Sequence, residues 1–194
     1  MIETGLLFGS FNPIHVGHLM LAQYALNFGG VDEVWIVVSP HNPFKQQRDL
    51  ADAEHRCEMA RIATKDSDNI KVCDVELHLP LPSYTIQTMT RLKEDYPDRR
   101  FSIIMGGDNV EGLPRWREAN RLLSGQRFLI YPRPGYSPNT EQVTKMGATV
   151  EMLDAPQVDI SSTMIREWTK NSIETRYFVA NGVAEYIAQN GLYK

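Results

Sequence analysis

The sequence predicts a doubly wound α/β fold, in which a parallel sheet carries helices on both faces. Three observations point there. Short apolar segments alternate with amphipathic ones along the chain, the most apolar segment is hydrophobic on both faces, and the residues suited to chemistry follow directly after apolar segments. Strand-like runs separated by helical ones imply parallel strands joined by crossovers. A strand apolar on both faces is one that helices cover from both sides.

The elements follow in order. Residues 4–8 form a short apolar run ending in Gly9-Ser10, and residues 18–28 an amphipathic helix closed by Gly29-Gly30. Val34-Trp35-Ile36-Val37-Val38 is β-branched, aromatic and apolar throughout, the pattern of a central parallel strand. A polar loop over residues 40–50 leads into a helix over residues 51–64, with Ala53, Cys57 and Ala60 on one stripe. Residues 70–77 alternate like a strand, and Ile86, Met89 and Leu92 mark a helix that stops at Pro97. Residues 101–105 and 127–131 are two buried-type strands, and residues 149–153 a last one. Residues 162–170 and 179–190 close the chain as helices, the second ended by Gly191. No internal repeat, low-complexity segment or linker interrupts this pattern, so residues 1–194 are expected to form a single domain.

Composition narrows the function classes. Hydrophobic residues make up 42% of the 194 and charged residues 23%, the balance of a globular chain with a full core. The net charge of −4 argues against a nucleic-acid coat or an anionic-membrane binder, which select basic surfaces. A small polyanion is still compatible, because a few local cations and amides suffice to hold one. Cys57 and Cys73 lack a partner motif and read as reduced, core-facing thiols. The first residues carry neither the basic lead nor the apolar stretch of a signal peptide, and the run 34–38 is too short to cross a bilayer. The expectation is a soluble, cytoplasmic protein.

Two motifs carry chemistry. The first is Gly9-Ser10-Phe11-Asn12-Pro13-Ile14-His15-Val16-Gly17-His18-Leu19, between the first strand and the first helix. Carboxyl ends of parallel strands are where ligands bind in such sheets. Gly9 and Ser10 leave room for a nucleotide beside the backbone, Asn12-Pro13 makes a turn, and Gly17 lets the backbone approach what lies above the helix. His15 and His18 stand at the helix entrance, where amides and dipole favour a phosphate. Two imidazoles there can donate to phosphate oxygens as charge builds in a transition state. The bland alternative is a pair of capping or packing histidines. Zinc is a weaker rival, because no third His or Cys stands at ligand spacing and His41, His55 and His78 are scattered.

The second motif is Ile160-Ser161-Ser162-Thr163-Met164-Ile165-Arg166. Hydroxyls at a helix start with an arginine one turn on can hold a phosphate through amides, hydroxyls and a guanidinium fork. Alone it reads as an ordinary cap; its weight comes from partnering the first motif.

Together the two motifs resemble those of the HxGH nucleotidyltransferase superfamily, whose fold is Rossmann-like. Within it the chain most resembles the bacterial nicotinate-nucleotide adenylyltransferases, from Gly9 to Lys194. Pro43-Phe44-Lys45 is similar to that family's basic substrate loop, and His55-Arg56 matches a pair in its second helix. Pro82-Ser83-Tyr84-Thr85 is similar to its pyridine-recognition segment. Gly106-Gly107-Asp108 with Leu113-Pro114-Arg115-Trp116 is similar to its ribose and ring-stacking segment. Arg133-Pro134-Gly135 and Asn190-Gly191-Leu192-Tyr193 also match. Ser10 and Asn12 stand where Thr and Asp are common, Phe44 where His is common, and Arg117 where Tyr is common.

The resemblance implies a reaction of ATP with nicotinate mononucleotide, with Mg2+ bound through the ATP phosphates and no metal ligands from the protein. It implies that His18 contacts the α-phosphate and His15 the adjoining phosphates, while Ser162, Thr163 and Arg166 hold the pyrophosphate end. Gly9, Ser10, Phe11, Gly106, Asp108 and Ser161 complete the implied ATP site, Asp108 through a ribose hydroxyl. Asn12, Lys45, Tyr84, Thr85, Trp116, Arg117 and Arg133 form the implied acceptor site, with Trp116 stacked on the pyridine ring. Thr85 and the Arg117 amide meet the ring carboxylate. Bland alternatives stand beside these: Trp116 as a core aromatic, Lys45 and Arg48 as a solvated loop, Asp108 as a helix cap. Homo-oligomerisation is left open. Rival functions are transfer to another phosphate, such as phosphopantetheine or glycerol phosphate, and a catalytically silent nucleotide-binding module.

Overall fold

The computed structural model describes residues 1–40 and 50–194. Six strands form one sheet: β1 (Ile2–Gly9), β2 (Glu33–Val38), β3 (Ile70–Cys73), β4 (Arg99–Gly106), β5 (Arg127–Tyr131) and β6 (Thr149–Met152). Their order is β3-β2-β1-β4-β5-β6, and every pairing is parallel. The helices are α1 (Val16–Phe28), α2 (Ala53–Thr64), α3 (Thr85–Asp95), α4 (Ala119–Leu123), α5 (Glu141–Lys145), α6 (Ser162–Lys170) and α7 (Val183–Gln189). The doubly wound parallel sheet is as the sequence predicts. The chain winds from β1 out to β3, then returns to the other side of β1 to place β4. Connections after β1 and β4 therefore leave in opposite directions, and a crevice opens above their carboxyl ends.

Period-2 alternation divides the core into two. Leu7, Val34, Ile36, Val38, Ile104 and Leu129 face one layer, where Ala22, Ala25, Cys57, Met59 and Ala60 of α1 and α2, Ile165 of α6 and Val183 and Ile187 of α7 complete the packing. Leu6, Trp35, Val37, Ile103, Phe128 and Ile130 face the other, against Ile86, Met89 and Leu92 of α3. Every residue of β2 is buried, as a strand covered on both faces requires. Each fully buried Leu or Ile contributes roughly 1.5–3 kcal/mol, so together the buried aliphatics outweigh any single polar contact in holding the fold.

The structure departs from expectation in a few elements. Residues 70–77 were expected as one strand, but β3 stops at Cys73 and a 3-10 turn follows over Val75–His78. The ladder explains this: Cys73 pairs with Val37, one residue before β2 itself ends, so β2 has only Val38 left to offer a longer strand. The apolar alternation persists because Val75 and Leu77 pack toward opposite cores. The last helix begins at Val183 rather than 179, because Gly182 adopts a left-handed φ of 88° and starts the helix anew. Helices α4 and α5 and the 3-10 segment Gly107–Arg115 are too short to show a period. Among the described residues no helix is long and apolar enough to cross a membrane.

At the amino ends of the strands, Glu33 is buried and accepts from Lys71 Nζ (2.8 Å), Arg99 Nε (2.9 Å) and Thr4 Oγ1 (2.9 Å). Burial alone pushes this carboxyl up, but the hydrogen bonds from Lys71, Arg99 and Thr4 prevail and hold it at about 2. A carboxylate with a depressed pKa stabilises the fold fully above its ordinary value of 4.5, and that contribution is lost as pH falls toward 2. Glu33→Gln is expected to cost about 2 kcal/mol at pH 7 and to flatten the acid limb of a stability-versus-pH curve from chemical denaturation.

Candidate active site

The first motif forms the connection from β1 to α1 at the crevice. Phe11 takes a left-handed φ of 46°, and its buried ring folds back over Gly9. A Cβ on Gly9 would stand 2.8 Å from that ring, so the glycine makes room for Phe11, where the sequence suggested room for a nucleotide. Gly17 acts similarly, since a Cβ there would meet Ile160 at 2.9 Å and the His15 ring at 3.1 Å.

His15 is the residue before α1, and its carbonyl accepts from the N–H groups of His18 (2.9 Å) and Leu19 (3.3 Å). In return its own N–H donates to His18 Nδ1 at 3.2 Å. That bond makes Nδ1 an acceptor, so a neutral His18 carries its proton on Nε2 and presents it as a donor. The two rings stack with centroids 3.7 Å apart, and Phe11 meets His18 edge-on at 5.0 Å. His15 is 5% exposed, and its Nδ1 has no hydrogen-bond partner among the described residues. Burial first, then the nearby positive charge of Arg133, lowers its pKa to about 4. His15 is therefore neutral at physiological pH. The amides of Val16 and His18 already donate to Phe178 O (3.0 Å) and His15 O, so this helix end offers imidazoles rather than an open row of amides.

The second motif reaches this connection from α6. Ser161 caps the helix by accepting from the Met164 N–H at 3.2 Å. Ser162 Oγ donates to Pro13 O at 2.9 Å, and Arg166 Nη1 donates to Asn12 O at 2.9 Å. Arg166 Nη2 lies 3.4 Å from Thr163 Oγ1, while its Nε is buried without a partner among the described residues. Motifs about 150 residues apart thus meet, and part of the donor capacity of Ser162 and Arg166 goes to loop carbonyls rather than to a ligand.

One organising residue was given no role from the sequence. Arg56 is 1% exposed and donates from Nε to Ala51 O (2.8 Å), from Nη1 to Ser10 O and Ser39 O (2.7 Å each), and from Nη2 to Pro40 O (2.9 Å). Its sequence signal is an arginine directly beside the buried stripe of α2, which must find partners. Tyr193 is the other; its hydroxyl donates to Asn12 Oδ1 at 2.7 Å, an oxygen that also accepts from the Ala51 N–H at 3.1 Å.

Across the crevice, Asp108 follows β4 and Arg133 follows β5, with Arg133 Nε 3.7 Å from Asp108 Oδ1. A Cβ on Gly106 would collide with both side chains, so that glycine admits the pair. Asp108 lies inside the 3-10 segment and does not cap a helix. Tyr84 precedes α3 and Thr85 begins it. The Arg117 guanidinium sits 4.6 Å over the Tyr84 ring, and Trp116 is partly buried against the same core as Tyr84. Tyr84, Thr85, Trp116 and Arg117 therefore form one cluster. Behind it, buried Glu76 accepts from Thr88 Oγ1 (2.7 Å) and Ser83 Oγ (3.4 Å). Lys45, like His41, Pro43, Phe44 and Arg48, lies outside the described residues. A groove of about 600 Å³ between α1 and α2, lined by Leu19, Tyr24, Ala63 and Pro156, contains none of these donors.

Comparison with known proteins shows the family and the fold of this chain. The cytidylyltransferase-like family matches residues 6–168. A Bacteroides fragilis (strain YCH46) protein named "Probable nicotinate-nucleotide adenylyltransferase" is 46% identical over 187 residues, covering 96% of this chain and 92% of its own. The Bacillus subtilis (strain 168) nicotinate-nucleotide adenylyltransferase is 36% identical over 194 residues, covering both chains completely. Plasmodium falciparum nicotinic acid mononucleotide adenylyltransferase complexed with NaAD superposes with a TM-score of 0.81 at 22% identity, over 100% of this chain and 98% of that one.

The buried His15 also makes a prediction. Its lowered pKa means that the unfolded chain binds the extra proton between pH 6.5 and about 4, so its contribution is complete above 6.5 and lost as pH falls through that window. Urea denaturation from pH 7 to 4 is expected to show a loss on the order of 2 kcal/mol that His15→Gln abolishes.

Proposed function

We propose that this chain, which belongs to the nicotinate-nucleotide adenylyltransferases of the cytidylyltransferase-like family, transfers the adenylyl group of ATP to nicotinate mononucleotide. The products are nicotinate adenine dinucleotide and pyrophosphate, in the biosynthesis of NAD. A phosphate oxygen of the mononucleotide attacks the α-phosphorus in line, the bond from that phosphorus to the bridging oxygen breaks, and pyrophosphate leaves with the electron pair. The whole chain acts as a single cytoplasmic nucleotidyltransferase domain.

The observation that carries this reading is the stacked pair of histidines at the start of α1, beside the reversal of strand order. His18 has its proton on Nε2 by the bond from the His15 amide, and it donates to an α-phosphate oxygen as charge accumulates. His15, held neutral, keeps a permanent charge away from its partner ring and donates to the adjoining phosphates. Thr163, Arg166 and the main-chain N–H of Ser162 meet the leaving pyrophosphate with the donors left over from the loop. Gly9, Ser10, Phe11 and Ser161 shape the ATP side, and Gly106 and Asp108 the ribose. Apart from the Asp108 carboxylate, the polar side chains named here offer N–H and O–H donors, suited to phosphate oxygens. Mg2+ bound through the ATP phosphates would supply charge neutralisation on the leaving group. Asn12, Lys45, Tyr84, Thr85, Trp116, Arg117 and Arg133 receive the acceptor, with Trp116 stacked on the pyridine ring. Since no step needs a covalent enzyme intermediate, catalysis rests on positioning and charge stabilisation.

The test is pyrophosphate release with ATP, magnesium and a panel of phosphorylated acceptors. Nicotinate mononucleotide should exceed nicotinamide mononucleotide in kcat/KM by on the order of 10² or more, because N–H and hydroxyl donors facing the ring substituent match a carboxylate and oppose a carboxamide NH2. Comparable values would remove the acceptor assignment and leave adenylyl transfer standing. His18→Ala should keep the fold and lose about 10²–10³ in turnover. Near-normal turnover in a folded variant would place the charge stabilisation elsewhere.

A further inference from the structure

The Asn12 side chain is oriented from two distant parts of the chain. Its Oδ1 accepts from the Ala51 N–H ahead of α2 and from the Tyr193 hydroxyl beyond α7, while its backbone carbonyl accepts from Arg166. Two donors on one oxygen remove the near two-fold ambiguity of an amide: the oxygen faces Ala51 and Tyr193, and the NH2 is committed to the opposite side. Tyr193 is built for this contact. Its backbone holds a left-handed φ of 62°, costly for a residue with a side chain, and strain of that kind persists only where surroundings enforce it. Its hydroxyl is raised by burial against the opposing pull of Arg166 and Arg56, so it remains a proton donor at physiological pH. The loop is also held at Ser10 by Arg56 and at Pro13 by Ser162, yet neither touches the Asn12 side chain.

We infer that Tyr193 is a positioning residue for adenylyl transfer, acting through Asn12 to fix the acceptor side of the connection between β1 and the two histidines. This rests on the reading above, in which Asn12 belongs to the acceptor site. The ring of Tyr193 also packs against the first core, so a purely structural role must be separated from this one. Tyr193→Phe keeps the ring and removes only the hydroxyl.

The experiment is a double-mutant cycle with Tyr193→Phe, Asn12→Ala and both together, each checked for folding by circular dichroism and thermal melting. Tyr193→Phe should lower kcat/KM for nicotinate mononucleotide by about five- to twentyfold, the range of one lost hydrogen bond, while the KM for ATP stays within twofold. The double variant should be no worse than Asn12→Ala alone, because the tyrosine would have nothing left to position. The inference is overturned by a Tyr193→Phe enzyme with unchanged kcat/KM, whatever its melting temperature. It is equally overturned by equal effects on both substrates, or by single effects that multiply in the double variant. Should the wild-type protein form no dinucleotide from ATP and nicotinate mononucleotide, the proposed function falls and this inference falls with it. Wild-type activity with an indifferent Tyr193→Phe removes the inference alone.

Discussion

The candidate site depends on a permanent charge buried beneath it. Arg56 remains an arginine cation in a place that burial makes unfavourable, and desolvation accordingly lowers its pKa. It is tolerated because four main-chain carbonyls, from Ser10, Ser39, Pro40 and Ala51, turn toward it. Those carbonyls belong to the exits of β1 and β2 and the approach to α2. Loops that would otherwise need water or one another to satisfy their backbone are tied to one rigid fork. An uncharged or shorter side chain there leaves several buried acceptors unmet.

The remaining ties converge on the same loop. Arg166 and Ser162 hold the carbonyls of Asn12 and Pro13, and Tyr193 and Ala51 hold the Asn12 amide. The loop is thus fixed from α2, from α6 and from the segment after α7 by the protein's own groups. Such preorganisation suits a reaction without covalent chemistry on the protein, where displacement of a phosphate by an ångström or so costs a large part of the rate. It also explains why the histidines are so closely packed. Neutral His15 can stack on His18 at 3.7 Å, which two imidazolium ions would resist.

The two ends of the sheet divide the electrostatic labour. At the amino end, Glu33 is surrounded by Lys71, Arg99 and Thr4, a closed network in which each partner's charge is answered. At the carboxyl end, His15 Nδ1 and Arg166 Nε are buried without partners among the described residues, as are Trp35 Nε1 and Gln87 Oε1 away from the loop. Unanswered polar groups are costly in a core; in the proposed reading a bound phosphate completes the two beside the histidine loop.

The sequence alone determined the six strands, the longer helices and their order. The both-face apolarity of residues 34–38, the alternation of strand-like and helical runs, and the two motifs at strand and helix ends are local patterns, and local patterns follow from periodic burial. They carried the fold class, the nomination of His15 and His18, and the partnering of Ser162 and Arg166 with the first loop. Which side chain stands over Gly9 and Gly17 is invisible to spacing; Phe11 does so in one case, His15 and Ile160 in the other. The ends of β3 and the start of α7 were missed because a neighbouring strand and a left-handed glycine set them. The tertiary structure decided what each donor is bound to. Arg56 meets Ser10 across 46 residues, Arg166 meets Asn12 across 154, and Tyr193 meets Asn12 across 181. A hydrogen bond of that span is chosen by packing of whole layers, which places two side chains within reach of each other whatever their separation along the chain.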